Sequence, residues 1–467
     1  QVTALHSAMT ERERLDSWQG IRSGKYRIVV GPRSALFAPM KNPGLIIVDE
    51  EHDGSYKQDD PAPRFHGRDA AIMRAKISRI PILLGSASPS VESYHHARTG
   101  RYRLLTLTDR PGAAKLPAVE IVDMRSQKIG GEHTFLSYPL KKHLQRCLSD
   151  GDQAILFLNR RGYSPQLKCG DCGHHPICPS CKVALTYHKV GQKLSCHYCG
   201  HLRLDYHQCE KCKGIKPVFL GAGTQKIEDQ IPLLVDQART IRFDSDTASG
   251  RRRAHRILRA FADRKYNLLL GTQMVTKGLD MKGVSLVGVL SADHGLDMPD
   301  FRASEKTFAQ LLQVAGRSGR SDRTGHVTIQ TYRPDDPVIA DAACQDYTAF
   351  FDREILSRKE VRFPPFRRLA NLTLSGADDR KVLRASEKLR DLLRNACTGS
   401  NLEVQIMGPA PCPLHYLRNK YRYHLLVKII HMVGFARLLA KLEAHQPGFG
   451  LPSTVKIEVD IDPVDMM

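Results

Sequence analysis

The sequence predicts an α/β protein of several domains that carries a metal-binding insertion. Three features indicate this class: short apolar runs that end in polar loops, helical spacing of apolar residues between those runs, and eight cysteines crowded between Cys169 and Cys212. At 467 residues the chain is long enough for about three domains, each with its own core. The 35 glycines and 26 prolines are near average usage, which excludes collagen-like and wholly disordered classes.

The charge balance favours a polyanionic partner. The 70 Lys and Arg side chains against 49 Asp and Glu give a formal net charge of +21. We expect nucleic acid rather than a membrane surface, because no basic amphipathic anchor stands out; a generally basic cytosolic protein is the alternative. No apolar run has the length of a membrane helix and no signal peptide is visible, so we expect a cytoplasmic protein with no membrane partner.

Residues 1–125 are expected to form the first α/β domain. Apolar runs at 45–48 and 80–84 predict buried strands, and each is followed at once by polar residues, at 49–52 and 85–88. Open α/β sheets place ligand chemistry beyond the carboxyl ends of their strands. These two loops are therefore candidate parts of one site.

A second α/β pattern follows, and the cysteine block interrupts it. One helical face is predicted from the spacing of Leu140, Leu144, Cys147 and Leu148, and an apolar strand at 154–158 comes next. Strand signals resume after the block, at 218–220, 267–270, 284–290 and 326–329. The segments expected from this reading are 126–168 and 213–346 for the second domain, 169–212 for the insertion, and 347–467 for a separate small α/β domain.

The cysteine block consists of four Cys-x-x-Cys knuckles: Cys169/Cys172, Cys178/Cys181, Cys196/Cys199 and Cys209/Cys212. Each knuckle places two thiolates on one tight turn, and two knuckles complete the four-sulfur shell that Zn²⁺ prefers, so the block predicts two structural zinc ions. The spacing favours the inner two knuckles on one ion and the outer two on the other, while sequential pairing stays open. Redox dithiols are the alternative. The nearby histidines are expected at the surface or behind the ligands: His174, His175, His188, His197 and His201.

Acids and arginines supply the candidate catalytic groups. Asp49, after the first apolar strand, would hold Mg²⁺ through water and Glu50 would polarise the attacking water, although such acids alone are more often a solvated turn. Gln313, Arg317 and Arg320 fall at i, i+4 and i+7 of a predicted helix and so share a face. Two arginines so close together repel each other unless an anion lies between them, and a triphosphate is such an anion. A solvated basic face is the alternative.

In this order, these motifs resemble those of superfamily 2 helicases, and with the inserted zinc block they are similar to the PriA family of replication-restart helicases (primosomal protein N-prime). The similarity covers essentially the whole chain. It is carried by segments 6–7, 31–37, 49–58, 85–89, 156–163, 221–224, 242–247, 271–280, 310–320 and 408–411. The resemblance implies two RecA-like helicase lobes, the first one incomplete, a two-zinc insertion in the second lobe, and a small α/β C-terminal domain of the DNA-binding kind.

The resemblance also implies an activity: ATP-driven, Mg²⁺-dependent 3′-to-5′ translocation that unwinds DNA at stalled or collapsed forks and starts primosome reassembly. The implied partners are forked and single-stranded DNA, single-strand DNA-binding protein, primosome proteins and the helicase loader, in the bacterial cytoplasm at the nucleoid. Like the spacing, it pairs the outer knuckles on one zinc and the inner two on the other. It assigns nucleotide contacts to Asp49, Glu50, His52, Gly278, Asp280, Arg317 and Arg320. It assigns DNA contacts to Arg33, Tyr56, Phe65, Thr272 and Gln273.

One expected motif is absent from the sequence, the phosphate-cradling loop Gly-x4-Gly-Lys-Ser/Thr. The nearest candidate, Gly24-Lys25, is followed by Tyr26, so nucleotide binding is expected to be severely weakened. In the family this loop precedes the point where the sequence opens, and we therefore expect a fragment of a longer helicase; a naturally ATP-dead version is the alternative. Pro32 stands where the family usually has Thr, which puts a DNA-backbone contact in doubt. The competing function is a non-catalytic zinc-ribbon module that binds DNA and primosome proteins.

Overall fold

The structure is a computed structural model that describes the chain except for residues 108, 110–115, 130–131, 134, 159–165, 189–190, 205–207, 216, 221–223, 245–246, 249, 277–280, 282, 319–324, 401 and 467. The chain divides into two compact units, Gln1–Tyr102 with Pro364–Met467, and Arg103–Phe363. In the described parts of the chain, no helix is both long and apolar enough to cross a bilayer.

Residues 1–102 hold two short parallel strand pairs and three helices, an incomplete α/β lobe. The elements are β1 (Val2–Ala4), α1 (Glu11–Ser23), β2 (Ile28–Val30), β3 (Ile46–Val48), α2 (Gly67–Ser78), β4 (Ile82–Leu84) and α3 (Val91–Arg98). β1 pairs with β2, and β3 with β4. The strand predicted at 45–48 exists, but the prediction that it is buried is wrong. Ile47 is 66% exposed, because among the described residues β3 pairs with β4 alone.

The unit Arg103–Phe363 contains both a large sheet and the cysteine block. In chain order its elements are β5 (Ala118–Asp123), β6 (Lys128–Ile129), β7 (Glu132–His133), α4 (Tyr138–Ser149), β8 (Gln153–Phe157), β9 (Gln166–Cys169), β10 (Thr186–His188), β11 (Lys193–Ser195), β12 (Leu202–Arg203), β13 (Pro217–Leu220), α5 (Thr224–Leu234), β14 (Thr240–Phe243), α6 (Arg251–Ala262), β15 (Leu268–Gly271), β16 (Val284–Val289), α7 (Asp293–Leu296), α8 (Ala303–Ala315), β17 (His326–Thr331), α9 (Pro337–Cys344) and α10 (Tyr347–Val361).

Six of these strands form one parallel sheet, in the order β14, β15, β8, β16, β17, β5. Strands of a parallel sheet are buried on both faces and therefore read as continuous apolar runs, which is how β8, β15 and β16 were visible in the sequence. Every residue of β8 and β15 is buried. Because all six strands point the same way, the loops that follow them meet at one side of the sheet, its carboxyl edge.

Helix α4 shows how the local sequence fixes a buried face. The Ser137 side chain caps the helix by accepting a hydrogen bond from the Leu140 N–H, and Pro139 fits the first turn, where its missing N–H costs nothing. This face packs in one core cluster with side chains of β8, β15 and β16. The predicted face is confirmed, since the buried residues of α4 are Leu140, Leu144, Cys147 and Leu148.

The cysteine block forms a small module that leaves the sheet after β8 and returns before α5. Its stem is the antiparallel pair β9 and β13, and its outer part is the three-stranded sheet β10, β11, β12. The strand expected at 218–220 is present as β13, and it closes the stem of the module and does not join the parallel sheet. A short apolar run predicts a strand but carries no information about which strand lies beside it.

Helix α10 is part of the same unit as the parallel sheet. Phe350 stacks on Phe308 of α8 with ring centroids 4.5 Å apart, and the buried Arg358 lies 2.6 Å from the Glu305 carboxylate. Aromatic stacking and a buried ion pair both hold α10 against α8.

Two boundaries therefore differ from those expected. The compact division of the chain falls after Phe363, whereas the sequence indicated a domain start at residue 347. Residues 118–123 were grouped with the first domain, yet β5 pairs along its length with β17. In both places long-range packing decides to which unit the element belongs.

Residues 364–467 form an antiparallel sheet with two helices. The elements are β18 (Arg368–Gly376), α11 (Asp379–Gly399), β19 (Val404–Leu417), β20 (Lys420–Ile429), α12 (Met432–His445) and β21 (Lys456–Ile461), and the strand order is β19, β20, β18, β21. Both helices contribute to a single apolar core on the sheet. The predicted α/β class of this segment is confirmed, and the segment groups with residues 1–102 in one compact unit.

A core substitution tests this packing. Leu425 of β20 is fully buried together with Leu372 and Leu389. We expect Leu425→Ala to lower the free energy of unfolding by about 2–5 kcal/mol, because it loses apolar burial and leaves a cavity. The control Val433→Ala lies on α12 at a 65% exposed position, and we expect an effect within about 0.5 kcal/mol. The measurement is chemical denaturation of both variants; equal destabilisation would contradict the described core.

Candidate functional site

The clustered cysteines come together as two sets of four. The outer set is Cys169, Cys172, Cys209 and Cys212, and the inner set is Cys178, Cys181, Cys196 and Cys199. Within each set the sulfur atoms all lie within 4.8 Å of one another. This is the pairing that the spacing favoured; the structure does not have the sequential pairing that the spacing left open.

The sulfur separations fit a bound Zn²⁺ in each set. A Zn–S bond of about 2.3 Å places the corners of a tetrahedral shell about 3.8 Å apart. Sγ–Sγ distances are 3.5 Å for Cys169–Cys212 and 3.7 Å for Cys178–Cys199. A disulfide requires about 2.05 Å, and these cysteines are free thiols. Each set therefore has the donor atoms and the spacing of a structural zinc site.

All four knuckles use the same turn. The residue that lies four positions after each first cysteine donates its backbone N–H to the carbonyl oxygen of that cysteine, and it has a positive φ. These residues are Gly173, Lys182, Gly200 and Lys213, with φ of 69°, 56°, 78° and 62°. Left-handed backbone is easy for glycine but uncommon for lysine, so two of the four turns hold a conformation that their sequence alone does not favour.

Buried charges hold the module against the carboxyl edge of the sheet. Asp293 and Asp297 follow β16 and are 0% and 4% exposed. Arg333, which follows β17, lies 3.3 Å from Asp293 and 2.8 Å from Asp297. From the module, Lys168 Nζ lies 3.5 Å from Asp297 Oδ2, and His175 Nδ1 lies 2.8 Å from Asp297 Oδ1. We call these five residues the buried charge cluster.

The charge state of Asp297 follows from its neighbours. Burial by itself would raise the pKa of Asp297, but the charges of Arg333, His175 and Lys168 outweigh it and hold that pKa well below its usual range. A carboxylate stays ionised in the interior only with such partners. The buried charge cluster therefore ties the residues flanking the outer cysteine set to the loops after β16 and β17.

The inner cysteine set has an anchor of its own. Tyr198 stands between Cys196 and Cys199 and is 1% exposed. Its hydroxyl donates to Asp300 Oδ1 at 3.2 Å and accepts the Phe301 N–H at 3.2 Å. Burial raises the pKa of Tyr198 well above its ordinary value, which keeps the hydroxyl protonated and able to donate. Both cysteine sets are thus fixed to the same sheet.

The histidines near the cysteines do not join either set within the described part of the chain. They are not all at the surface, however. His175 belongs to the buried charge cluster, and His197 is 1% exposed with its ring 5.3 Å from that of His188. These histidines support the module by packing and charge.

Asp49 and Glu50 form an exposed acidic turn directly after β3. Glu50 has a φ of 48°, and its N–H donates to Asp49 Oδ1 at 3.0 Å. His52 Nδ1 lies 2.7 Å from Ser86 Oγ and 3.6 Å from Glu50 Oε2. The acidic turn is therefore in direct contact with the small-residue loop that follows β4.

The third acid of this run has a different role, which the sequence did not reveal. Glu51 is 1% exposed, and its carboxylate accepts hydrogen bonds from the Ser90 N–H at 2.6 Å, the Ser93 hydroxyl at 2.9 Å and Arg68 at 3.0 Å. It binds the start of α3 and the side of α2 to the acidic turn. Nothing in the spacing of three consecutive acids separates the one that points inward from the two that are exposed.

Three predicted DNA contacts, Arg33, Tyr56 and Phe65, lie in or against the loop that joins the acidic turn to α2. Arg33 donates to a backbone carbonyl of this loop at 2.9 Å, and the Tyr56 hydroxyl donates to the Asp49 carbonyl oxygen at 2.6 Å. Phe65 packs edge-on against Phe37 with centroids 5.3 Å apart. These side chains brace the loop, and Tyr56 joins it directly to the acidic turn.

Lys57 ties the same loop to the C-terminal sheet, a role that no motif in the sequence predicted. Its side chain is 1% exposed, with Nζ 2.6 Å from Asp460 Oδ1 and a hydrogen bond of 2.7 Å to the Ile461 carbonyl oxygen. Arg64 lies 3.0 Å from the Glu458 carboxylate of the same strand, β21. Burial raises the pKa of Asp460 despite the nearby Lys57 and Arg64 charges.

Two predicted residues lie at the carboxyl edge of the parallel sheet. Thr272 follows β15, and its carbonyl oxygen accepts the Val275 N–H at 3.0 Å. Gln273 begins the short 3-10 turn Gln273–Thr276. Both positions are on the loop that the sequence singled out after this strand.

The predicted arginine face is only partly described. Gln313 lies on α8, but the prediction that Arg317 continues the same helix is wrong. The helix ends at Ala315, and the Arg317 N–H bonds the Val314 carbonyl oxygen at 3.0 Å in a tighter turn. Gly316 at this point removes the side chain that would favour another helical turn. Three other predicted nucleotide contacts lie outside the described residues: Gly278, Asp280 and Arg320.

The cysteine sets predict a metal content. After washing with a weak chelator, the chain should retain two Zn²⁺ ions, one in each set. Cys196→Ser should release one ion and leave the outer set loaded. Cys344→Ser, at an exposed cysteine outside both sets, is the matched control and should keep both ions. The measurement is atomic emission on the purified chain; one ion or none in the unsubstituted protein would contradict the two-site assignment.

The buried charge cluster predicts a pH-dependent stability. Arg333→Met removes one partner that two buried carboxylates share and should lower the free energy of unfolding by about 3–5 kcal/mol at neutral pH. Because the folded pKa of Asp297 is depressed, its contribution is present above the unfolded pKa of about 3.9 and is lost as pH falls through the folded pKa. The difference in the free energy of unfolding between wild type and variant should therefore become smaller below about pH 4.

The control for this comparison is Arg259→Met, a 76% exposed arginine on α6 that faces Asp263 at 3.9 Å. We expect an effect within about 0.5 kcal/mol for this surface pair. Both variants are followed by chemical denaturation at several pH values. A gap between wild type and Arg333→Met that stays constant from neutral to acid pH would refute the role assigned to the carboxylates.

Family models match three parts of the chain. Residues 359–464 match the primosomal protein N C-terminal domain, residues 178–203 match the PriA DNA helicase Cys-rich region (CRR) domain, and residues 213–322 match the helicase conserved C-terminal domain. The matches follow the chain in the order expected from the sequence.

Relatives that carry the name replication restart protein PriA align along the chain. The Bacillus subtilis protein is 42% identical over 100% of this chain and 58% of its own length, and the Chlamydia pneumoniae protein is 38% identical over 99% and 61%. The Rickettsia conorii protein is 36% identical over 98% of this chain and 69% of its own length. Among solved structures, RecG bound to a three-way DNA junction is 15% identical with a TM-score of 0.41, over 77% of this chain and 36% of that one.

Proposed function

The chain belongs to the replication restart protein PriA family, and from that premise we propose that it acts in an ATP-dependent DNA helicase. The proposed activity is 3′-to-5′ translocation that unwinds DNA at stalled or collapsed forks and starts primosome reassembly. Because the chain spans 58% of the Bacillus subtilis relative and 61% of the Chlamydia pneumoniae relative, activity, substrates and partners are assigned here as proposals for the complete gene product.

The observation that carries the proposal is the hydrogen-bonded acidic turn after β3. Asp49 and Glu50 are exposed there, and His52 connects the turn to Ser86 at 2.7 Å. Exposed carboxylates at the end of a strand suit Mg²⁺, which would neutralise charge on the transferred phosphoryl group. Asp49 would hold the ion through water, and Glu50 would orient and polarise the attacking water. The buried Glu51 fixes the backbone of the turn and takes no part in the chemistry.

Contacts of the same turn suggest how nucleotide state reaches DNA. The Tyr56 hydroxyl bonds the Asp49 carbonyl oxygen, so a shift of the turn would move the loop that carries Tyr56 and Phe65. Aromatic side chains on such loops stack on unpaired bases. The Ser86 contact would carry the same shift to the loop after β4. Arg33, Thr272 and Gln273 are the further DNA contacts that we propose.

The zinc module and the net charge suggest the substrates and partners. A net charge of +21 favours binding to DNA. We propose that the two cysteine sets hold one Zn²⁺ each and keep the module folded at the carboxyl edge of the sheet. The further partners are single-strand DNA-binding protein, primosome proteins and the helicase loader, in the bacterial cytoplasm at the nucleoid. For the nucleotide we propose contacts from Gln313, Arg317 and Arg320 in addition to the acidic turn, and from His52, Gly278 and Asp280.

Substitution of one acidic and one basic candidate residue tests the proposed ATP-driven activity. In the complete gene product, Glu50→Gln and Arg320→Ala should each lower DNA-stimulated ATP hydrolysis by at least about 100-fold, because one loses water activation and the other loses transition-state charge stabilisation. Matched controls are Glu387→Gln and Arg259→Ala, exposed residues on helices α11 and α6. Hydrolysis is measured with saturating single-stranded DNA.

The outcome also decides the competing function. If both variants hydrolyse ATP like the wild type, or if the wild type binds DNA without any DNA-stimulated hydrolysis, the motor proposal fails. A non-catalytic module that binds DNA and primosome proteins would then be the better interpretation. Zinc content measured on the same samples separates loss of activity from loss of folding.

A further inference from the structure

Three side chains of metal-ligating types meet at the parallel sheet, and none of them belongs to a site described above. They are Glu120 on β5, His143 on α4 and His326 at the start of β17. Their ligand atoms all lie within 4.8 Å of one another. None of the three belongs to the cysteine module or to the motifs that the proposed helicase activity uses. We call them the His–Glu cluster.

The distances in the His–Glu cluster suit a shared cation better than direct hydrogen bonds. Glu120 Oε2 lies 3.5 Å from His143 Nδ1 and 3.5 Å from His326 Nε2. Bonds of about 2.0–2.1 Å place two ligand atoms of a tetrahedral ion about 3.4 Å apart. A hydrogen bond between nitrogen and oxygen is shorter, at about 2.7–3.2 Å.

Two buried atoms of the cluster contact each other only as an ion pair. Of the residues described by the structure, none gives a hydrogen bond to the buried Glu120 Oε2 or to the buried His326 Nε2. Buried polar atoms nearly always have a partner, because leaving one unpaired costs free energy. A carboxylate oxygen and an imidazole nitrogen that face each other at 3.5 Å would both be satisfied by one cation between them.

Backbone pairing fixes the positions of these side chains. β5 and β17 are in register with Glu120 opposite Thr328 and Ala118 opposite His326, so Glu120 and His326 lie on the same face of the sheet. His143 reaches this face from α4, with Nδ1 3.2 Å from Thr328 Oγ1 and its ring 4.2 Å from that of His326, measured between centroids. The three ligands therefore come from three elements that the core already holds together.

We propose that Glu120, His143 and His326 form a third metal site, which takes a divalent transition ion of the Zn²⁺ class. Imidazole nitrogen and carboxylate oxygen are the ligands that such ions accept, whereas Mg²⁺ and Ca²⁺ prefer oxygen alone. The side chains are 40%, 31% and 33% exposed, which leaves an open side where water completes the shell. The site differs from both cysteine sets in its ligands.

The location of the site indicates what the ion does. His326 begins β17, so the cluster lies at the opposite end of the strands from the carboxyl edge that carries the zinc module and Thr272. β5 is an edge strand of the sheet, with β17 as its one neighbour among the described strands. An ion held by β5, β17 and α4 would clamp this edge strand in place. The role is structural, and it does not depend on the proposed helicase activity.

A metal titration tests the proposal on the full chain. Protein washed with a weak chelator, with Zn²⁺ retained in the cysteine sets, is titrated with Zn²⁺ by calorimetry. We expect wild type to bind one further equivalent and to show a higher midpoint of thermal unfolding when it is bound. His326→Gln, His143→Gln and Glu120→Gln should each weaken binding of that equivalent by more than about 100-fold, since each removes a direct ligand. The cysteine-bound zinc should stay unchanged in all three.

The control is His415→Gln. His415 Nε2 lies 3.0 Å from Asp379 Oδ1 with side chains 35% and 43% exposed, so it matches the cluster in chemistry and exposure. Within the described residues it belongs to no group of three such side chains. This variant should bind the additional Zn²⁺ as the wild type does. If it loses the ion equally, the binding is adventitious and the proposal fails.

A second measurement needs no variant. Histidine modification by diethyl pyrocarbonate, read by mass spectrometry, should be suppressed at His143 and His326 by added Zn²⁺ and should be unchanged at His415. Absence of a further equivalent in the wild type, or equal modification of His143 and His326 with and without Zn²⁺, would overturn the assignment. Either result distinguishes a metal site from a triad that is held together by packing alone.

Discussion

The burial of two carboxylates beside the zinc module is the constraint on which the second unit depends. Asp293 and Asp297 leave water only because Arg333, Lys168 and His175 surround them, and two of these three partners come from the module. An ion pair in the interior has a large desolvation cost, so it persists only where every partner stays in place. Removal of one member therefore leaves a buried charge without a partner, which is strongly destabilising.

This constraint explains how a metal-dependent module can be inserted in the chain between elements of the domain that carries the parallel sheet. The block leaves the sheet after β8, a central strand, at the carboxyl edge where loops are free to grow. A segment this short has too few apolar side chains for a core of its own, and metal–thiolate bonds take the place of that core. Tyr198 and the buried charge cluster then fix the inner and outer cysteine sets to the strands' own loops.

Local sequence patterns predicted the helices and strands well. They predicted poorly which strands pair and to which unit an element belongs. The apolar spacing of α4 and the runs of β8, β15 and β16 predicted both the element and its burial, because both faces of a parallel sheet are covered. The same kind of run predicted a buried strand at β3, where Ile47 is exposed. At β13 it predicted a strand but not that the strand closes the module stem. Strand pairing is a long-range property, and a run of four residues does not encode its partner. Likewise, the sequence predicts that α10 begins a new domain. In the structure Phe350 of α10 stacks on Phe308, so the helix belongs to the unit of the parallel sheet.

At the candidate site, ligands with a strict sequence spacing were predictable. Roles that depend on whether a side chain points into the protein or toward solvent were not. Four Cys-x-x-Cys knuckles fixed the ligand set, and the favoured pairing is the one in the structure. Three consecutive acids gave no sign that Glu51 turns inward to Ser90 while Asp49 and Glu50 stay exposed. The His–Glu cluster shows the same limit more sharply, because its ligands are separated along the chain and meet only through the register of β5 with β17 and the position of α4. Sites of this kind become visible only after the fold is known, and for that reason the buried, unsatisfied atoms of a structure carry information about ligands that motifs do not.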